Sequence, residues 1–215
     1  MHIAVTGNIG AGKTTLAQLL AQHYNWDVLY EAVEDNPYLS DFYGDMERWA
    51  FNLQIYFLNS RFEQVKYIHD TLKDGANRSI IQDRTIYEDA YIFARNLRES
   101  GTMSERDYRN YRRLFDSMLS LVHPPDLMIY LKADLPRLTA QIRKRGRSYE
   151  QAISEMYLAN LNRLYDEFVA QYTVGKLLVI DVNELDYASQ PDDLRTVIRQ
   201  IDAWLGDTAT VSISV

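Results

Sequence analysis

No cysteine occurs among the 215 residues, which excludes disulfides and thiol catalysis. No apolar run approaches the ~18–20 residues that would span a bilayer, so no membrane segment and no membrane partner are expected. No Gly/Ser-rich linker, internal repeat or low-complexity stretch divides the chain, so one domain over residues 1–215 is expected. Positive charge is in deficit, with 23 Lys and Arg against 30 Asp and Glu and a net charge of −7. That balance argues against nucleic acid as a partner, because binding a phosphate backbone needs basic surface. No signal-peptide pattern precedes the first strand-like run, so a cytoplasmic setting is expected.

What remains is an ordinary globular composition, 47% hydrophobic and 25% charged. Strand-like runs recur at His2–Thr6, Asp27–Tyr30, Ser79–Gln82, Leu127–Leu131 and Leu177–Val182. Helical patterns follow at 14–24, 46–73, 86–98, 104–121, 135–144, 149–172 and 191–205. Strands alternating with helices predict an α/β fold, a five-stranded parallel sheet with helices on both faces. Ligands bind such sheets beyond the C-terminal ends of the strands. Residues 208–215 alternate apolar and polar, which suits either an extra edge strand or a loose tail.

The strand ends carry the chemistry. After the first strand, Gly7-Asn8-Ile9-Gly10-Ala11-Gly12-Lys13-Thr14 fits G-x-x-x-x-G-K-[ST], the loop whose backbone N–H groups cradle phosphates at a helix N-terminus. ATP is the expected ligand. Lys13 would contact its β- and γ-phosphates, Thr14 would ligate Mg²⁺, and Thr15 continues the nucleotide-binding loop. Glu31 follows the second strand, where a carboxylate could accept a proton from a substrate hydroxyl; Glu34 and Asp35 read as a solvated acidic loop. Asp83-Arg84 follows the third strand, with Asp83 suited to Mg²⁺ and Arg84 to a phosphate or the reacting oxygen, or the two to a structural ion pair.

The long helix at 46–73 places Phe51, Gln54, Leu58, Arg61, Val65, Ile68 and Leu72 on one face. Gln54 and Arg61 interrupt that apolar stripe. A buried guanidinium is costly unless paired, and Asp89 is its natural counter-ion, although an arginine at a stripe edge can also reach solvent. Together the amide and guanidinium would suit the polar edge of a nucleobase. Arg143-Lys144-Arg145-Gly146-Arg147 concentrates the missing positive charge between two helices. Such a loop, at about 143–149, suits a lid closing over the nucleotide.

These positions, in this order, resemble the deoxynucleoside kinases over nearly the whole chain. The resemblance rests on the phosphate loop, Glu31-Ala32-Val33 where many members have Glu-Pro-Val, and Tyr43 upstream of Gln54. Arg61, Asp83-Arg84, Asp89, the Arg145-Gly146-Arg147 lid and the stretch from Asp181 to Tyr187 extend it. It implies a P-loop kinase fold with an arginine-rich lid. It further implies a Mg²⁺-dependent transfer of the γ-phosphoryl of ATP to the 5′-hydroxyl of a deoxynucleoside, deoxyadenosine first, then deoxyguanosine or deoxycytidine. On that resemblance Glu31 is the base, Arg84 lies beside the hydroxyl, and Tyr43 and Glu150 hold the sugar. Gln54, Arg61 and Asp89 read the base edge and Phe93 stacks on it. Arg145 and Arg147 close on the phosphates, and Asp181 and Asn183 belong to a loop near the ATP adenine. A homodimer through the helices at 46–73 and 104–121 is implied as well. Two departures stand out: Ala32 replaces proline, and Gln141 replaces a lid arginine. A thymidylate-kinase-like nucleoside monophosphate kinase and a non-catalytic nucleotide sensor are the competing readings. The first would need more basic residues and no Glu31; the second has no use for a base.

Overall fold

The computed structural model describes residues 1–31, 36–73, 78–147, 149–150 and 153–211, with side chains through Gly206. Its strands are β1 (His2–Gly7), β2 (Asp27–Leu29), β3 (Ile80–Asp83), β4 (Leu127–Lys132) and β5 (Lys176–Asp181). All pair in parallel in the order β2-β3-β1-β4-β5. This is the expected sheet. Its central strand β1 ends in the phosphate loop, and β3 beside it ends in Asp83, so the two phosphate-facing strand ends are neighbours.

Alternation within the strands divides the core into two layers. Ile3, Val5, Ile129 and Leu131 pack with Leu16 and Leu20 of α1 (Lys13–Tyr24) and Val197 and Ile201 of α9 (Pro191–Val211). Met128 and Tyr130 face the other way. They meet α3 (Met46–Lys73), α8 (Glu155–Gln171) and the helical stretch after β3. Burying both faces is why these strands read as nearly continuous apolar runs.

Local signals set the helix ends. Asn25 closes α1 at φ 55, in the left-handed region asparagine tolerates. Ser104 caps α6 (Glu105–Leu119), accepting from the Asp107 N–H. In α7 (Leu135–Arg145), Pro136 sits in the first turn and Gly146 stops the helix at φ 72.

Three expectations need correction, and one helix was not anticipated. The helix expected from Tyr149 starts only at Glu155, because Ser154 caps it and accepts from the Tyr157 N–H. The helix expected over 86–98 is three pieces: α4 (Ile86–Glu88), a π-helical turn at Asp89–Ala94, and α5 (Arg95–Glu99). A short α2 (Leu39–Gly44) precedes α3, its Leu39 and Phe42 buried against Leu53 and Leu97. Through Val211 the C-terminal segment continues α9 and is neither edge strand nor loose tail; residues 212–215 lie outside the described residues, as do Ala32, Val33, Glu34 and Asp35.

Candidate active site

The phosphate loop is built by close approach. At Gly12 (φ 93) a Cβ would lie 2.2 Å from the Tyr187 hydroxyl, and at Gly10 (φ 87) 2.8 Å from the Leu138 carbonyl oxygen. Only hydrogen fits at either position. The loop is therefore clamped between α7 and the segment after β5, where Tyr187 donates to the Ala11 or Gly12 carbonyl at 3.2 Å. Asn8 secures the third side. Its amide donates to Leu158 O at 3.0 Å and to Asn162 Oδ1 at 2.6 Å, while its own oxygen accepts from Ile9 N at 2.7 Å. Gly7 and Ala11 complete the frame.

Lys13 is buried, with Nζ donating to Asn8 O at 2.9 Å. Burial lowers its pKa to about 8, and Arg84 adds to the effect. A buried ammonium on a phosphate loop is incompletely neutralised until an anion arrives. Thr14 donates to Asp83 Oδ2 at 2.5 Å, and the other Asp83 oxygen is buried with no hydrogen-bond partner. Burial pushes the Asp83 carboxyl up, partly offset by Lys13. A hydroxyl and an unsatisfied carboxylate oxygen are hard donors of the kind Mg²⁺ takes, so these residues fit that ion.

Beyond the loop opens a cavity of about 470 Å³, within the range that holds a small ligand. Ile9, Gly10, Lys13, Thr14, Glu31, Tyr43, Gln54, Asp83, Arg84, Asp89, Phe93, Arg145, Arg147 and Glu150 all border it. The expected residues from eight separate segments thus converge on one space. Arg61 stands behind the wall, 2% exposed, reaching Glu31 Oε1 at 3.2 Å and Asp89 Oδ2 at 3.5 Å. The polar break in the stripe is a buried, paired arginine and not an edge residue turned to solvent.

Glu31 also meets Arg84 Nε at 2.8 Å. Burial pushes the Glu31 carboxyl up, but Arg84, Arg61 and Lys13 outweigh it and hold the group below the usual carboxylate range. Asp89 behaves oppositely: burial raises it to about 7 despite Arg61 and Arg84. Two carboxyls on one arginine are therefore driven apart in pKa, which gives the cavity one ionised acceptor and one group titrating near neutrality. Gln54 is 4% exposed and its Oε1 is buried without a partner, an acceptor left open toward the cavity. The Arg84 guanidinium lies 4.6 Å from the Phe93 ring centre.

At the far side, Tyr43 stacks on Tyr149 at 5.6 Å, and Glu150 is held by Arg145 Nε at 2.9 Å and Arg147 Nη1 at 3.4 Å. Both arginines expected in a lid thus meet the Glu150 carboxylate in this conformation. Arg143 and Gln141 are outside the cavity lining, as are Thr15, exposed on α1, and Asp181 and Asn183 at the end of β5. Asn183 Oδ1 accepts from Asp134 N at 2.9 Å.

The sequence reading missed several walls: Leu39 and Phe42 of α2, Leu53, Phe57, Tyr149 and Tyr157. It also missed Glu88, fully buried behind Arg84, and Tyr165, whose hydroxyl meets both at 2.6 and 3.1 Å. Leu53 and Phe57 were legible as turns of α3 adjoining the stripe; Glu88 and Tyr165 carried no local signal.

Residues 3–205 match the family model described as deoxynucleoside kinase. The chain is 36% identical over 207 residues to the deoxyadenosine/deoxycytidine kinase of Bacillus subtilis, covering 95% of this chain and 93% of that protein. It is 41% identical over 198 residues to the deoxyadenosine kinase of Dictyostelium discoideum, covering 92% and 78%. Among solved structures, M. mycoides deoxyadenosine kinase with its products dCMP and a flexible dCDP superposes with a TM-score of 0.82 at 31% identity, covering 94% of this chain and 100% of that one. The same enzyme with bound dATP gives 0.81 at 30% identity, covering 94% and 99%. A phosphate loop facing a nucleoside-sized cavity is what this family requires, and the chain belongs to the deoxynucleoside kinases.

Proposed function

We propose that this kinase transfers the γ-phosphoryl group of ATP to the 5′-hydroxyl of deoxyadenosine, with deoxycytidine second. The observation that carries the base assignment is that Asp89 and Gln54, whose Oε1 is buried without a partner, both line the cavity. Adenine and cytosine each place an exocyclic amino donor beside a ring-nitrogen acceptor. Gln54 Oε1, the open acceptor, takes one N–H of the amino group while its own N–H satisfies the ring nitrogen, and an ionised Asp89 accepts the other amino N–H. Thymine and guanine present a carbonyl oxygen where Asp89 needs a donor. The dCMP-bound relative supports cytosine as the second base.

In the reaction, the 5′-hydroxyl enters between Glu31 and Arg84 and donates to the Glu31 carboxylate. Glu31 is held too acidic to strip the proton early. That suits phosphoryl transfer with a loose transition state, where the proton leaves late and positioning does most of the work. Lys13 and the loop N–H groups bind the β- and γ-phosphates. Thr14 and Asp83 would hold Mg²⁺, which neutralises charge on the phosphates when bound. Tyr43 and Glu150 bind the sugar hydroxyl, Phe93 stacks on the base, and Arg145 and Arg147 exchange Glu150 for phosphate oxygens as the lid closes. Asp181 and Asn183 flank the adenine of ATP. Tyr67 on α3 and Leu114 on α6 are exposed apolar side chains, which supports a homodimer through these helices. No described helix is long and apolar enough to cross a membrane.

A panel of deoxynucleosides and their monophosphates, assayed for ATP consumption with Mg²⁺, tests the assignment. Turnover of deoxyadenosine with monophosphates inert is expected; turnover of monophosphates alone would overturn the role of Glu31. The Asp89 pKa of about 7 adds a signed pH dependence. The unliganded carboxyl holds a proton below that value, and in this reading the ionised form, the stronger acceptor, is the one that binds the amino group. Deoxyadenosine affinity should therefore fall roughly tenfold per pH unit below about 7, with proton release on binding. Titration calorimetry in buffers of different ionisation enthalpy reads both, and a flat affinity from about pH 8 to 6 would remove Asp89 as the acceptor.

A further inference from the structure

The carboxylate that the reaction above does not use is the most completely buried one described in the site. Glu88 is 0% exposed, yet its two oxygens serve different masters. Oε2 accepts from Thr85 N at 2.7 Å and closes a capping box on α4. Oε1 faces Arg84 Nη1 at 3.0 Å and the Tyr165 hydroxyl at 2.6 Å. A capping box is made as well by a solvent-exposed glutamate, so the cap alone does not explain burying this charge.

Arg84 is the reason it is there. Its backbone sits at φ 75, a left-handed conformation that costs a non-glycine residue of order 1–3 kcal/mol and persists where surroundings enforce it. Its guanidinium is shared between two carboxylates, Nε toward Glu31 at 2.8 Å and Nη1 toward Glu88 at 3.0 Å. Tyr165 completes the frame. Its hydroxyl accepts from Arg84 Nη1 at 3.1 Å and sits 2.8 Å from the Gly7 carbonyl oxygen, at the entry to the phosphate loop. The Tyr165 ring is stacked on Tyr130 of β4 at 5.6 Å, so the hydroxyl cannot drift. β1, the strand end at Arg84, α4 and α8 all meet at these three side chains.

Resting on the kinase reading, we propose that Glu88 and Tyr165 are positioning residues: they clamp Arg84 between the phosphate loop and Glu31 and share its charge. With Glu88 present, the guanidinium lies between two anions and registers with Gly7 through the Tyr165 hydroxyl and through Glu88 Oε1, which accepts from Gly7 N at 3.5 Å. Without that charge, Arg84 collapses onto Glu31 as its sole carboxylate partner. The base becomes still more acidic, and the arginine is lost to the reacting oxygen.

The test uses Glu88→Gln, which keeps an oxygen for the Thr85 cap but removes the charge, and Tyr165→Phe, which removes only the hydroxyl. Expected for each is a kcat reduction of roughly ten- to a hundredfold, as for other residues that orient a site from behind, with KM for ATP and deoxynucleoside within about threefold. For Glu88→Gln the acid limb of the kcat–pH profile should move to lower pH, because the groups facing Glu31 are then Arg84, Arg61 and Lys13 with one counter-charge fewer. A purely structural role would leave that limb in place. The clamp is also readable without turnover. Nitrogen-15 NMR of the Arg84 guanidinium, assigned by its loss in Arg84→Lys, should show hindered rotation in the unaltered protein and faster rotation in both variants. Unchanged rotation, or a kcat within about twofold with an unshifted profile, would overturn the proposal. An unaltered protein inactive on every deoxynucleoside would instead sink the kinase reading, while the NMR result still decides the clamp.

Discussion

Glu31→Gln is expected to lower kcat by roughly 10²–10³, equivalent to about 2.7–4 kcal/mol of transition-state stabilisation, with KM for both substrates nearly unchanged. The substitution is isosteric, and the amide oxygen can still face Arg84 and Arg61, now 2.8 and 3.2 Å from the carboxylate. What disappears is the ability to take the proton of the 5′-hydroxyl. The charge balance of the site moves too, since one anion between two guanidiniums and Lys13 is gone. ATP, which brings negative charge, should bind at least as well. Steady-state kinetics against both substrates decides the matter: a kcat within about threefold of the unaltered protein would leave Glu31 as an electrostatic partner of the arginines and nothing more.

Arg61→Met should act on the other end of the cavity and on stability together. Methionine matches the aliphatic part of the side chain within the apolar stripe, so the helix is not disrupted. Removing one member of a buried pair usually costs about 3–5 kcal/mol, because the partner's charge is left uncompensated. Here two features soften the loss. Asp89 already titrates at about 7 and responds by holding its proton, and Glu31 keeps Arg84. A stability loss of about 1–3 kcal/mol is therefore expected at neutral pH, measured by urea denaturation. Recognition suffers more. A protonated Asp89 loses the charge-assisted bond to the amino group and its fixed orientation against Arg61, so kcat/KM for deoxyadenosine should fall roughly a hundredfold while KM for ATP stays put. The ratio of deoxyadenosine to thymidine efficiency should shrink with it. If the preference survived intact, Gln54 and the cavity shape alone would be reading the base.

Much of this was open to inspection in the chain before any coordinates. The G-x-x-x-x-G-K-[ST] spacing fixes a loop because its parts are contiguous, and the strands announce themselves as short apolar runs at regular intervals. The stripe on α3 exposed Gln54 and Arg61 as misplaced polar residues, since helical periodicity carries information over a whole heptad. Asp89 as the partner of Arg61 followed from elementary charge pairing. Where the reading fell short, the missing signal was non-local. α8 starts at Glu155 and not at Tyr149, because the Ser154 cap overrides the pattern upstream of it. Asp89–Ala94 gave no hint of its π-helical turn, which adds a residue to the turn bearing Asp89 and Phe93.

The sequence by itself determined the fold class, the family and the phosphate loop, because each rests on short motifs and on their order along the chain. Tertiary structure alone decided the electrostatics. Glu31 and Asp89 are both carboxyls near arginines, yet burial and the number of facing cations hold one low and raise the other to about 7. It alone brought Tyr165 to Glu88, 77 residues apart, and turned the lid arginines toward Glu150. Desolvation and Coulomb energy depend on distance in space and on what excludes water, and neither quantity is written in the order of residues.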